Sequence, residues 1–531
     1  MGDFWYKWKF GFALSGAMVA FELLILELIL LGTPTGAQWL GDLPGNPSDY
    51  PVYLNYLAQG GHSILLKNLY NAGPQILRFD AFWSIGGLLV RFGFNPVWTH
   101  EILRWLCTIL LGLAIYATAK FITQNERHAK LASFFMLSGL SVGWINAIWL
   151  KLFFNRDISL IVSPDLDKSF AIGPSLIGGA HIILSVTLQF IGIRFAWISI
   201  RTLNKKHLLI AWISYFTLTL FHPYYISLLG LVTLCALFWP KNSELIFKKR
   251  LIHFFILNTS LLIPLSYYLY LLQDAALREH QLVINKLPLE PTLLWVIALS
   301  PFIIAAAWLL IKKVPEQYKT HTHRSEWAWA WLISAVICML LPFPWTDKYT
   351  QGLLPLLIIV TLPFWFFISD KLLKTSNFLI KSMLILACLL PYLYLFRFTF
   401  ALISDPAWVE TIYLPMPVIN AWQYIKNNSP PDTVCTTRSL RANFWIPVYA
   451  ERSVWLGHMH ETPDYQNRLQ DFKNWLYAKD PQSFQSYLDK NNITCLTSIN
   501  SSESINLGSY LDHNWKRVFQ EDGINVWLKT N

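Results

Sequence analysis

The sequence predicts an α-helical polytopic membrane protein of about eleven transmembrane spans, with a C-terminal extracytoplasmic α/β domain. Three observations lead there. Of 531 residues, 54% are hydrophobic and 14% charged, with mean hydropathy +0.38, more apolar surface than a soluble protein of this length carries. Apolar runs of about 20 residues, the length that crosses a bilayer, recur between residues 10 and 403. Beyond about Ser404 the runs shorten into the patterns of strands and amphipathic helices.

The long runs fall near 10–31, 97–121, 130–150, 181–200, 251–273, 291–311, 327–342, 351–369 and 382–403. The stretch 208–240 is too long for one span and is broken at "FHPYY". Arg201, Lys205 and Lys206 precede it and Lys241, Lys248, Lys249 and Arg250 follow, which puts both its ends on one face. It is read as a hairpin of two short spans with His222 and Pro223 at the apex. Lys7, Lys9, Arg127, Lys130, Lys312, Lys313, Lys319, Arg324, Lys371, Lys374 and Lys381 share that face in an eleven-span count, so the N-terminus is expected to be cytoplasmic. The loop 32–96 and the chain from 404 are then expected outside, with domains 1–403 and 404–531. Phe10 to Leu31 is long enough to span and no small-residue cleavage pattern closes it, so a cleaved signal is not expected. Basic cytoplasmic loops account for the net charge of +10, and no basic stripe interleaved with aromatics marks a nucleic-acid surface.

In the C-terminal part "TVCTT", "NITCLTSI", "KRVFQ" and "INVWLK" read as strands, and "DYQNRLQDFKNWLYA" has helical spacing through Tyr465, Leu469, Phe472 and Leu476. Thr462 suits an N-cap, Pro463 a first helical position, and Asp464 the positive end of the helix dipole. Cys435 and Cys495 lie on two of the strands, where a disulfide and a pair of buried thiols are both open. The six cysteines show no metal-binding spacing, and Cys107, Cys235, Cys338 and Cys388 sit in apolar runs.

Charges inside spans need partners, since each unpaired one costs about 2.5–3.5 kcal/mol on insertion scales. Glu22 and Glu27 lie in the first span, Glu101 and Arg104 in the second; an ion pair between Glu27 and Arg104 is expected, leaving Glu22 protonated or facing a polar cavity.

The residue singled out for chemistry is Asp49, in "NPSDYPVYLNYLAQGG" of the first outer loop, ahead of Tyr50, Tyr53 and Tyr56. A carboxylate there can serve as a general base; its alternative is to cap the helix that follows. Asp42, in the turn-rich "GDLPGNP", is the weaker rival. His222 can donate to a phosphate or sugar from a cavity-lining break, or repair the broken helix. Lys348, in "PFPWTDKYTQG", suits a phosphate but has Asp347 beside it, and an interfacial lysine is its alternative. Most of the 25 tryptophans suit headgroup-level belts, while Trp39, Trp83 and Trp149 lie close to the expected outer cavity.

A first span followed by a long outer loop holding an Asp, the short paired helix "DAFWSIGGLLVRFG", a span with an embedded Arg and an HP-interrupted hairpin together resemble the GT-C glycosyltransferases. The likeness is to uncharacterised bacterial members in which "D..VYL.YL.Q.G" is matched by "IPVYAERSVWLGHMHET" in a C-terminal outer domain. It implies a multi-pass enzyme of the bacterial plasma (inner) membrane, in contact with membrane lipid. Such an enzyme takes a sugar from a polyprenyl-phosphate carrier for an acceptor that the sequence does not name. It implies Asp49 as base, His222 and Lys348 toward the phosphate, and Tyr53, His458 and Glu461 as substrate-binding, with the "GHMHET" loop turned toward the membrane-side cavity. The broader group includes oligosaccharyltransferases that hold a divalent metal on an acidic pair; here Asp165 and Asp167 of "SPDLDKS" would be the counterpart, against a solvated acidic turn. The WWDYG-type acceptor motif of that subgroup is absent. No cofactor is assigned, and a divalent metal stays open, as does zinc on His458, His460 and Glu461. The competing functions are a transporter or flippase of lipid-linked saccharides, against which only one broken helix is visible, and a non-catalytic envelope assembly protein.

Overall fold

The computed structural model describes residues 2–41, 49–143, 145, 172–239, 244–274, 277–279, 292–312, 314–341, 346–374, 378–404, 412–478, 480–499 and 507–530. Asp42, Trp149, Asp165 and Asp167 lie outside the described residues. In chain order the helices are α1 Gly2–Leu31, α2 Tyr50–Gly60, α3 Ala81–Arg91, α4 Pro96–Thr123, α5 Glu126–Ser138, α6 Ile172–Gly178, α7 Ala180–Thr202, α8 Lys205–Phe221, α9 Tyr225–Phe238, α10 Glu244–Leu271, α11 Thr292–Ile311, α12 Glu316–Arg324, α13 Glu326–Leu340, α14 Leu353–Lys374, α15 Phe378–Ile403, α16 Met416–Asn428, α17 Tyr465–Leu476 and α18 Pro481–Lys490. The strands are β1 Ala37–Trp39, β2 Tyr413–Pro415, β3 Val434–Thr436, β4 Ser453–Val454, β5 Cys495–Thr497, β6 Trp515–Glu521 and β7 Ile524–Lys529.

Six helices among the described residues are long and apolar enough to cross a membrane: Lys7–Leu31, Pro96–Thr123, Ala180–Thr202, Phe247–Leu271, Leu294–Ile311 and Thr346–Leu372. Tyr225–Phe238, Glu326–Leu340 and Cys388–Ala401 are shorter apolar helices. The span expected over 130–150 is not one helix. α5 stops at Ser138 because Gly139 takes a left-handed conformation, φ 73°, a common helix stop. The stretch 208–240 is two helices broken at His222, whose φ −131° and ψ 73° leave the helical region as the residue before a proline must.

The chain divides into two compact units, one of Met1–Glu27, Leu103–Tyr268 and Ile284–Ala401, the other of Leu28–Ile102, Leu269–Val283 and Leu402–Asn531. The first is helical. In it α7 packs along α8 and α9, and α9 along α13. Arg104 pairs with Glu22, Nε to Oε2 3.7 Å, both side chains fully buried, and Thr108 Oγ1 also donates to Glu22. The expected partner Glu27 is instead exposed, since five residues along a helix turn a side chain through about 140° and only Glu22 faces α4.

The second unit joins the first loop to the C-terminal region. β1 runs antiparallel to β2, with Trp39 opposite Tyr413, and the backbone N–H of Val454 donates to Leu69 O. A five-stranded sheet, order β4-β3-β5-β7-β6, is parallel through β4, β3 and β5 and antiparallel through β7 and β6. One of its faces buries Phe472, Trp475, Phe484, Leu488 and Trp527. Cys435 and Cys495 are register partners on β3 and β5, but they are buried free thiols, and burial pushes the Cys435 thiol up. α17 begins at Tyr465, not at Pro463. Asp464 stands before it in a left-handed conformation, and Thr462 uses its Oγ1 to accept from Gly457 N at 3.1 Å instead of capping the helix.

α2 and α3 touch backbone to backbone: a Cβ on Gly87 would lie 2.3 Å from the carbonyl carbon of Gly60. Gly87→Ala is therefore expected to lower stability by roughly 1–3 kcal/mol. The melting temperature of the detergent-solubilised protein should fall, while Gly16→Ala, whose Cβ meets nothing within 4 Å, should leave it unchanged.

Candidate active site

Asp49 is the N-cap residue of α2, yet its backbone is already helical, φ −89° and ψ −19°, and its side chain makes no capping hydrogen bond. The carboxylate is turned to side chains. Oδ1 accepts from His458 Nε2 at 3.1 Å, and Oδ2 from the hydroxyl of Tyr53, one turn on, at 3.3 Å. His458 Nδ1 takes the backbone N–H of His460 at 3.3 Å, which leaves the proton of a neutral ring on Nε2, aimed at Asp49. The His458 side chain is 4% exposed and that of Asp49 27%, so the histidine is a buried support and the aspartate is partly open to solvent.

Tyr53 is fixed from its other side. Its ring stacks on Trp83 of α3, centroids 4.9 Å apart and planes within 14°, and Trp83 lies 6.0 Å from His100. His100 packs 4.7 Å from Tyr50 and places Nδ1 3.4 Å from Glu101 Oε1, both side chains fully buried. His100 is absent from the residues the sequence singled out. The signal for it was the adjacent His-Glu at the start of an apolar helix, an unusual pair to bury.

The loop that carries His458 is anchored by Glu461. Arg78 Nη2 meets Glu461 Oε2 at 2.7 Å with both side chains about one-sixth exposed, and Asn68 Nδ2 donates to Glu461 O at 2.7 Å. Thr462 N and Glu461 N both donate back to His458 O. Glu461 thus neighbours Asp49 through the turn, with its carboxylate spent on Arg78. Tyr70 donates to Phe444 O at 2.8 Å, and burial, then Glu461, push its phenol well up.

His222 and Lys348 belong to the helical unit. His222 is buried with Nδ1 2.5 Å from Ser185 Oγ, a hydrogen bond from the helix break to α7. Lys348 Nζ lies 3.1 Å from Asp347 Oδ2, and its carbonyl accepts from Tyr225 OH at 3.3 Å. Tyr225 OH also donates to Gln351 Oε1, and Ser227 Oγ lies 2.7 Å from Tyr349 OH, so the turn Thr346–Thr350 is moored on α9.

Among the described residues no three His, Cys, Asp or Glu side chains gather as a metal site. Zinc on "GHMHET" does not fit: both ring nitrogens of His458 are engaged, by Asp49 and by the His460 N–H.

Neither a family model nor a curated protein sequence matches the chain. Its fold is similar to that of solved structures, among them an archaeal oligosaccharyltransferase from Archaeoglobus fulgidus in complex with an inhibitory peptide and a dolichol-phosphate. That likeness has TM-score 0.51 and 12% sequence identity over 93% of this chain and 70% of the other. It shows that the two chains share a largely helical fold.

Asp80 is the N-cap of α3, accepting from Phe82 N and Trp83 N at 3.0 and 3.2 Å. Desolvation pushes its carboxyl up to about 6, against the pull of the Trp83 N–H, Arg78 and the Phe82 N–H. Its folded value lies above its ordinary 3.8. The folded chain therefore holds the proton more tightly between about pH 4 and 6, and stability declines as the pH rises through that window. Asp80→Asn keeps an acceptor for the cap and should flatten this slope in thermal unfolding followed from pH 4 to 7.

Proposed function

We propose that the protein is a membrane glycosyltransferase that moves a sugar from a polyprenyl-phosphate carrier to an extracytoplasmic acceptor, with Asp49 as general base. The observation that carries the proposal is the partly exposed Asp49 carboxylate, held by His458 and Tyr53 in a chain whose fold resembles an oligosaccharyltransferase bound to dolichol-phosphate. The N-terminus is cytoplasmic in this reading and the Asp49 loop and C-terminal region are outside.

As the acceptor oxygen bonds to the anomeric carbon of the sugar, its proton passes to Asp49. The bond from that carbon to the carrier's phosphate oxygen breaks with its electron pair, and polyprenyl phosphate leaves. His458 acts by position: its Nε2–H holds Oδ1, and the Tyr53 hydroxyl on Oδ2 fixes the rotation of the group. Glu461 supports His458 through the Arg78-anchored turn. Lys348 and His222 are proposed for the phosphate, Lys348 as the charge and His222 as a donor, and their contribution is separable from that of the base.

Loss of a general base costs about 10²–10⁴-fold, so Asp49→Asn should abolish the sugar addition that wild-type protein restores to cells lacking it. Mass spectrometry of surface glycoconjugates reads this. His458→Ala, which frees the carboxylate to rotate, should lower the rate by about 10²-fold. Full restoration by Asp49→Asn removes the assignment.

A further inference from the structure

The helical unit holds a charge that neither the proposed chemistry nor an ion pair uses. Arg194, in the middle of α7, is 7% exposed, and its guanidinium donates to Thr118 Oγ1 at 3.1 Å. It lies against the rings of Phe195 and Phe121, at 4.9 and 5.7 Å. No carboxylate among the described residues comes within ion-pair distance of it. A guanidinium at this depth in a spanning helix calls for an anionic partner.

Arg194 lines a cavity of about 280 Å³ whose other walls are apolar: Trp8 and Phe12 of α1, Leu110, Ala114 and Ala117 of α4, and Phe195 of α7. Leu110, one of the lining residues, is about half exposed, as is a side chain that a spanning helix turns to hydrocarbon. Toward the end where α1 starts and α4 finishes, Lys120 Nζ donates to Lys7 O at 3.5 Å and lies 3.6 Å from Glu126 Oε2. Trp8 stands at the same end, the headgroup-level position typical of tryptophan. A guanidinium with no carboxylate partner among the described residues and an apolar trough beside it are complementary to one molecule: a lipid with a phosphate, an acyl chain and net negative charge.

We propose that the groove between α1, α4 and α7 binds an anionic phospholipid, its acyl chain along Leu110, Ala114 and Ala117 and its phosphate oxygens accepting from Arg194. The positive charge of Arg194 favours a net negative headgroup over a zwitterionic one, whose own ammonium already offsets its phosphate. Bound there, the lipid supplies the counter-charge of Arg194 and joins three helices.

The full-length protein in detergent is titrated with phosphatidylglycerol and with phosphatidylcholine of the same chain length, and bound lipid is counted by native mass spectrometry. One phosphatidylglycerol should bind at a concentration at least tenfold lower than phosphatidylcholine. Ala117→Trp, which fills the trough, should weaken that binding tenfold or more, and Arg194→Gln should erase the preference between the two lipids. Should Arg194→Gln not fold, Ala117→Trp decides alone. Equal binding of the two lipids by wild-type protein, or unchanged phosphatidylglycerol binding by Ala117→Trp, overturns the proposal. So does displacement of phosphatidylglycerol by inorganic phosphate or by equimolar polyprenyl phosphate.

Discussion

The hydrogen bond from His458 to Asp49 is the contact on which the second unit's candidate site depends, because it ties residues 409 positions apart. A carboxylate at the start of a helix has a nearer set of partners, the N–H groups of its own first turn. Asp49 makes no such bond, and the reason lies in what surrounds it. The turn bearing His458 is pinned by Asn68 and Arg78 through Glu461, and the Tyr53 ring is locked on Trp83. Both donors stand in place before any substrate arrives, and hydrogen bonds to a charged acceptor contribute about 1.5–3 kcal/mol each. Such order suits a reacting group, which gains from being held in one orientation.

In the helical unit the governing constraint is different. Hydrocarbon cannot solvate a polar group, and several in this unit are met by another part of the chain. Arg104 and Glu22 meet across α4 and α1, Thr108 adds a donor, and the break at His222 is met by Ser185 from α7. Arg194 has a hydroxyl and two rings around it and, among the described residues, no carboxylate.

The apolar runs made much of the fold legible, because span length and the excluded charges are properties of local sequence. The hairpin at His222 and Pro223 was readable for the same reason: a proline acts on its immediate neighbour. The end of α5 was not, since the apolar run continues past Ser138 and only the left-handed Gly139 stops the helix. Partner choice was harder. Glu22 and Glu27 look alike in sequence, and the helix face that meets α4 distinguishes them. Asp49 was visible as a carboxylate in a turn-rich loop, and His458 and Glu461 through the resemblance of "GHMHET". Their mutual arrangement was not, nor were Arg78, Asp80 and His100, because contacts between distant segments leave no periodic signal.

The claim that the protein transfers a sugar, rather than moving the whole carrier across the bilayer, turns on one bond. Purified protein in liposomes, given a polyprenyl-phosphate-linked sugar and a mixture of extracytoplasmic acceptors, can be followed by mass spectrometry of the lipid extract. A transferase is predicted to convert the carrier to free polyprenyl phosphate as sugar appears on an acceptor. A carrier that keeps its sugar while redistributing between leaflets would contradict it.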